Sequence, residues 1–169
     1  MPTVKPMDQV MLHVATRKKA DLAALAAAPG KYPFPVTQLI PQITSDRLAL
    51  SGEHLRCGDQ LIFALQFRSA ISRYYYAMYH AARSIVFAEM QGDDYQAHAD
   101  LPRHLPLGLP NVQIRQQELL GARLLRNEAD YDPYPSGASD WEQDARRLTV
   151  TAADFVQACE DFALTNGYI

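Results

Sequence analysis

Guanidinium groups grip phosphate, imidazoles exchange protons near neutral pH, and tyrosines stack on bases; this sequence places all three in a few dense groups. The densest is Arg126-Asn127-Glu128-Ala129-Asp130-Tyr131-Asp132-Pro133-Tyr134. Arg126 supplies a cation for a phosphate, Asn127 an amide, Asp130 a carboxylate one helical turn further on, and Tyr131 and Tyr134 phenols that can position or stack on a base. A second group, Arg73, Tyr76, His80 and Arg83, recurs at helical spacing and shares one face, with His80 one turn from both Tyr76 and Arg83. The plain alternative is structural. Arg126 and Asp130, four apart, form an ion pair, the two tyrosines cover the end of the domain, and His80 is a packed, hydrogen-bonded core histidine. Arg126 and Tyr131, five apart, diverge by about 140° on a continuous helix, so a shared site needs the helix to end there or a second subunit to bring its copy alongside.

Other chemistry is poorly supported. His98 and His104 fall in a loop-like stretch without Cys or acidic partners at metal-ligand spacing, so neither a metal site nor a cofactor is expected. Cys57 and Cys159 show no paired spacing and have no His or Asp beside them, against a disulfide framework, a CxxC site or a cysteine nucleophile. Gly52, Gly58 and Gly121 are isolated, which leaves no glycine-rich phosphate loop.

The 169 residues suit one domain, and the 48% hydrophobic fraction can build a core unaided. A net charge of -3 does not suit a protein that coats nucleic acid by a general basic surface. The lysines (Lys5, Lys18, Lys19, Lys31) all come early, and from Arg47 onward every basic residue is Arg, so local bidentate anion recognition remains open beside the ordinary use of Arg in helix ion pairs. Arg17, Lys18, Lys19 and Asp21 interrupt the apolar N-terminal segment, which predicts neither a signal peptide nor a membrane association and makes a reducing, cytoplasmic location the expectation.

The positioning elements read as helices. Residues 8–28 form an amphipathic helix ending before Pro29-Gly30, and residues 29–45, with Pro29, Pro33, Pro35 and Pro41, read as a linker or strap. A second helix starts near Thr44 to Asp46, any of which can cap it, and runs to Cys57-Gly58. The central helix, residues 68–90 or starting as early as Gln60, is apolar nearly all round and predicts burial on most sides plus a second subunit. After a loop at 91–110 come a helix over 111–131, a stop at Pro133, an S-x-x-E capping box at Ser139–Glu142 and a last amphipathic helix ending near Asn166-Gly167. The fold class is all-α: an up-and-down four- to five-helix bundle over 46–169, with an additional N-terminal helix and Pro-rich strap over 1–45.

SRYYYAMYHAARSI at 72–85, followed by LLRNEADYDPY at 124–134 and a terminal amphipathic helix, resembles the HEPN family of small prokaryotic helical-bundle domains. The resemblance spans roughly residues 46–164. It implies a homodimer, a setting in toxin–antitoxin or phage-defence systems with an antitoxin or nucleotidyltransferase partner, and, in many members, metal-independent ribonuclease activity through an Arg-x4-6-His motif. Arg126 matches the motif Arg and Asn127 the Asn that often follows it, but Tyr131 stands where His would fall, and no His follows His104. An imidazole titrates near ~6.5 and a phenol near ~10, so Tyr131 lacks the usual proton-transfer chemistry. The RNEADY form also resembles a subfamily marked by Arg-x-x-Ala-Asp-Tyr. The expectation is an RNA-directed module, with Arg126 on the scissile phosphate and Asn127, Asp130, Tyr131 or His80 assisting. Arg73, Tyr76, Arg83 and Tyr134 are the binding residues, and His80 replaces the absent imidazole if its face opens toward Arg126. The alternative is a noncatalytic nucleotide-binding or nucleotidyltransferase-partner subunit.

Overall fold

The computed structural model describes residues 5–28 and 34–169. Six α-helices and two short 3-10 turns make up the regular structure, with no strand among the described residues: α1 (Pro6–Ala15), α2 (Lys19–Ala26), α3 (Val36–Phe63), α4 (Phe67–Met90), α5 (Val112–Tyr131) and α6 (Glu142–Thr165). The chain is all-α and bundle-like.

Helix α4 is the axis of the molecule because small and aromatic residues alternate around it. Its alanines let neighbouring backbones approach, while Tyr74, Tyr75, Met78 and Ile85 fill the space between them; 16 of its 24 residues are buried. Helices α3, α5 and α6 each pack directly on α4. The apolar cover that suggested a second subunit at this helix is therefore satisfied within one chain.

Helix α3 departs furthest from expectation. It begins at Val36 and continues to Phe63, so residues 36–45 are helical rather than a strap, and the boundary drawn at 45 falls inside a helix. Residues 29–33 lie outside the described structure. Pro41 sits inside α3 despite the ~3 kcal/mol that an interior proline typically costs. Burial of Val36, Ile40 and Ile43 against Val14, Leu22 and Phe87 offsets that cost. Gly58 is not a helix stop. A Cβ there would lie 2.6 Å from the Tyr74 ring, so glycine is what allows α3 and α4 to close on that tyrosine. The helix ends at Phe63; past its cap, Ala64, Leu65 takes a left-handed conformation (φ 57°) and the Gln66 amide donates to Leu61 O at 2.9 Å, reversing the chain into α4.

The expected single N-terminal helix is two. The chain breaks at residues 16–18 between α1 and α2 because its next partners come from the loop after α4: Asp93 N donates to Arg17 O at 2.8 Å, and Asp94 Oδ2 accepts from Lys19 N at 2.8 Å. Gly92 lies so close that a Cβ would be 2.2 Å from Lys19 N. The 91–111 connection is ordered by burial of Leu101, Leu105 and Leu109. The capping box at Ser139 is absent; residues Ala138–Trp141 form a 3-10 turn and α6 begins at Glu142 without a side-chain cap.

Candidate functional site

Helix α5 presents Arg115, Leu119, Ala122 and Ala129 to the interior, which leaves Arg123, Arg126 and Asn127 half-buried at its flank. The helix stops at Tyr131 because Pro133 disfavours the helical conformation at Asp132. Arg68 of α4 closes that end: its Nε donates to Ala129 O at 2.7 Å, it also donates to Asp132 O, and its guanidinium lies 4.7 Å from the Trp141 ring.

Arg126 is held from several sides. Its Nη2 donates to Tyr76 Oη at 3.1 Å and its Nη1 to Asn127 Oδ1 at 3.2 Å. Its Nε lies 2.7 Å from Asp130 Oδ2, an ion contact off the hydrogen-bond line, and Asp130 in turn accepts from Ser72 Oγ. The guanidinium also covers the Tyr131 ring at 5.3 Å. Five residues of helix separate these two, but the length of the Arg side chain closes the angular gap that their Cα positions leave. Desolvation works to lower the Arg126 pKa; Asp130, with Tyr131 and Tyr76, outweighs it, and the net shift is upward.

The imidazole beside Arg126 is His98. His98, Tyr75, Arg123, Arg126 and Asn127 together line a cavity of about 190 Å³. Helix α4 positions the loop that carries His98. Tyr75 Oη hydrogen-bonds His98 Nδ1, the Tyr79 ring stacks on the imidazole at 4.1 Å, and Tyr79 Oη donates to Gln96 O at 2.7 Å. Arg83 fixes the same loop from below through both Asp93 oxygens, its Nε donating to Oδ1 at 2.8 Å, and through Gln96 Oε1 at 3.2 Å. Desolvation, followed by the positive charges of Arg126, Arg123 and Arg83, lowers the His98 pKa below its ordinary value, so the ring is neutral at pH 7. Burial raises the Tyr75 phenol and keeps it protonated. A neutral imidazole, two guanidiniums and an amide facing one cavity can accept a proton and stabilise a phosphorane.

Of the residues picked out in the sequence, Arg126, Asn127, Asp130, Tyr131 and Tyr76 come together. His80 does not join them. It is covered by His54 of α3, stacked at 5.3 Å, and touches Tyr79 and Tyr76; desolvation, then His54, Arg83 and further cations, bring its pKa down to about 4. Arg83 is committed to Asp93 and is structural. Arg73 is half-buried on the same α4 face without an ion-pair partner among the described residues. Tyr134 is 78% exposed beyond the end of α5, away from the cavity lining. The residues missed were His98, Arg123 and Tyr75. His98 lies 28 positions before Arg126 at no helical spacing, and only the three buried leucines after it hint that its loop folds back onto the bundle.

A larger cavity of about 540 Å³ opens between α6 and the Gly108–Pro110 turn, but its cation, Arg115, is already paired with Glu118 at 3.0 Å and Asp154 at 2.7 Å, and none of the sequence-derived site residues lines it. Among the described residues no group of three or more His, Cys, Asp or Glu side chains is placed to hold a metal ion, and no helix is long and apolar enough to cross a membrane. Comparison with family models, curated proteins and solved structures finds no match.

Proposed function

We propose that the chain is an HEPN-like, RNA-directed protein of a toxin–antitoxin or phage-defence pair, cleaving RNA without a metal at the His98–Arg123–Arg126 cavity. The observation that carries this reading is the imidazole: where the motif offers Tyr131, the 91–111 loop supplies His98 to the same arginine. In this reaction His98 takes the proton of a ribose 2'-hydroxyl, the 2'-oxygen bonds to phosphorus, and the 5'-oxygen leaves with a proton from water. The serving tautomer donates Nδ1–H to the Tyr75 oxygen and leaves Nε2 free as the base. Arg123, which has no ion-pair partner among the described residues, and Arg126 neutralise the phosphorane, and Asn127 orients it. The exposed apolar flank of α5, with Ile114, Leu120 and Leu124, is the seat proposed for a second copy in a homodimer.

One observation favours the noncatalytic nucleotide-binding or nucleotidyltransferase-partner reading: Arg126 is already neutralised by Asp130. Incubation of the purified protein with total RNA in EDTA separates the two. Ribonuclease action predicts fragments ending in 2',3'-cyclic phosphate, lost in His98→Ala and in Arg126→Ala. RNA bound but intact after prolonged incubation refutes it and favours the binding subunit.

A further inference from the structure

An unbroken strip of rings leads away from the His98 cavity. His98 meets the edge of Tyr76 (centroids 6.2 Å, planes at 82°), Tyr76 stacks with His54 (5.7 Å, 29°), and His54 lies parallel to His80 (5.3 Å, 2°). Two parallel imidazoles on a half-exposed surface pack on each other and on Tyr76, and have no other visible structural purpose. Neither belongs to a group that could hold a metal, and no ring nitrogen of either makes a hydrogen bond or ion pair among the described residues. Nor are those nitrogens sealed from solvent, since among the described residues the only buried, unpartnered side-chain polar atoms are Arg115 Nε and Arg126 Nε.

Desolvation and neighbouring cations lower both pKa values, so the rings are neutral at pH 7 and present π-faces with free donor and acceptor edges. The flank is cationic. Arg73, one turn before Tyr76 on α4, is near enough for its charge to depress His54, and Arg123 lines the adjoining cavity. Flat neutral rings bordered by unpaired guanidiniums match a base and its phosphate, and a duplex keeps its bases inside the stack where such a strip cannot reach them.

We infer that His54, Tyr76 and His80 form a stacking subsite for an unpaired base beside the reacting phosphate, which makes single-stranded RNA the substrate class. This rests on the phosphodiester reading of the His98 cavity. Tyr76 ties the two together, because its hydroxyl accepts from Arg126 while its ring stacks on His54. A base seated on the strip thus also steadies the guanidinium.

The test uses a fluorescent eight-nucleotide 2'-O-methyl RNA, which lacks the nucleophile and reports binding alone, as single strand, as duplex, and as a series with one abasic position moved along it. The expected results are single strand bound more tightly than duplex, one abasic position that weakens binding to wild type, and a loss of about 5- to 150-fold in His54→Ala that His54→Phe restores. At the sensitive abasic position His54→Ala should cause no further loss. Duplex bound as tightly as single strand, an abasic series without a sensitive position, or His54→Ala within twofold of wild type overturns the subsite. The abasic series on wild type needs no variant to fold. Unmodified RNA run in parallel keeps the two readings apart: cleavage without a sensitive position removes the subsite alone, stacking without cleavage removes the ribonuclease alone, and no binding removes the subsite together with the RNA-directed reading.

Discussion

Exchanging Asp93 for Asn should cost this protein a large part of its stability. The Asp93 carboxylate is 3% exposed and holds two guanidiniums, Arg83 through Nε at 2.8 Å and a second contact at Nη2, and Arg47 through Nη2 at 3.4 Å. Asn keeps the volume and one acceptor but removes the charge that compensates a buried and a half-buried cation, for which broken buried pairs suggest about 3–5 kcal/mol. Against a total of about 5–15 kcal/mol, and with a urea m-value of about 2 kcal/mol/M, the midpoint falls by on the order of 2 M. Arg47→Met should behave differently. Burial brings Arg47 down to about 10 despite the pull of Asp93, and Met can follow the same path over the Phe87 ring, 4.6 Å away, so what is lost is mainly its hydrogen bonds to Ala15 O and Arg83 O, at a cost of about 1–2 kcal/mol. Urea titrations followed by circular dichroism measure both. A loss below about 1 kcal/mol in Asp93→Asn, or equal losses in the two variants, would refute the reasoning.

Three further outcomes follow from the same structure. On the proposed ribonuclease reading, the lowered His98 pKa makes cleavage rise with pH to a plateau whose midpoint lies below 6.5, and Arg123→Gln should move that midpoint upward; pH–rate profiles in EDTA read both. His80, at about 4 in the folded state and 6.5 when unfolded, favours the native state fully above 6.5; that stability is lost as the pH falls toward 4, by about 1–2 kcal/mol once its partial exposure is allowed for. Among its neighbours His54, Arg83, Arg47 and His98, the two histidines have lowered pKa values as well, so His80→Phe should make the thermal-midpoint curve shallower over that window while they keep the rest of its slope. Gly58→Ala should cost about 1–3 kcal/mol by overpacking against Tyr74, readable as a lower thermal midpoint, whereas an unchanged midpoint would mean that the ring moves aside freely.

The helices around the site were legible where periodicity and stop signals agree. The expected spans 68–90 and 111–131 differ from α4 and α5 by a single residue at the start, whereas the alternative start at Gln60 fails because residues 60–63 are the last turn of α3. Residues 36–45 were misread because Pro41 counts as a breaker locally, while the burial of Val36, Ile40 and Ile43 that overrides it depends on partners far along the chain. Gly58 misled for a similar reason: a close approach to Tyr74 and a helix stop use the same residue. Within the site, the Arg126–Asp130 spacing showed on the sequence, and the ion pair is present at 2.7 Å. His98 could not be found by spacing, since a loop held by Asp93, Gln96 and three leucines delivers it.

The seam between Gly92–Asp94 and residues 17–19 also bears on where the working unit begins. A fragment starting at residue 34 would retain every side chain that lines the His98 cavity. It would nevertheless lose the Arg17 carbonyl and the Lys19 amide that brace Asp93 and Asp94, and with them the packing that admits only glycine at 92. The first helices thus act as a splint for a loop some seventy-five residues downstream, and trimming the chain to the part that lines the cavity would leave the arginines in place while unseating their imidazole.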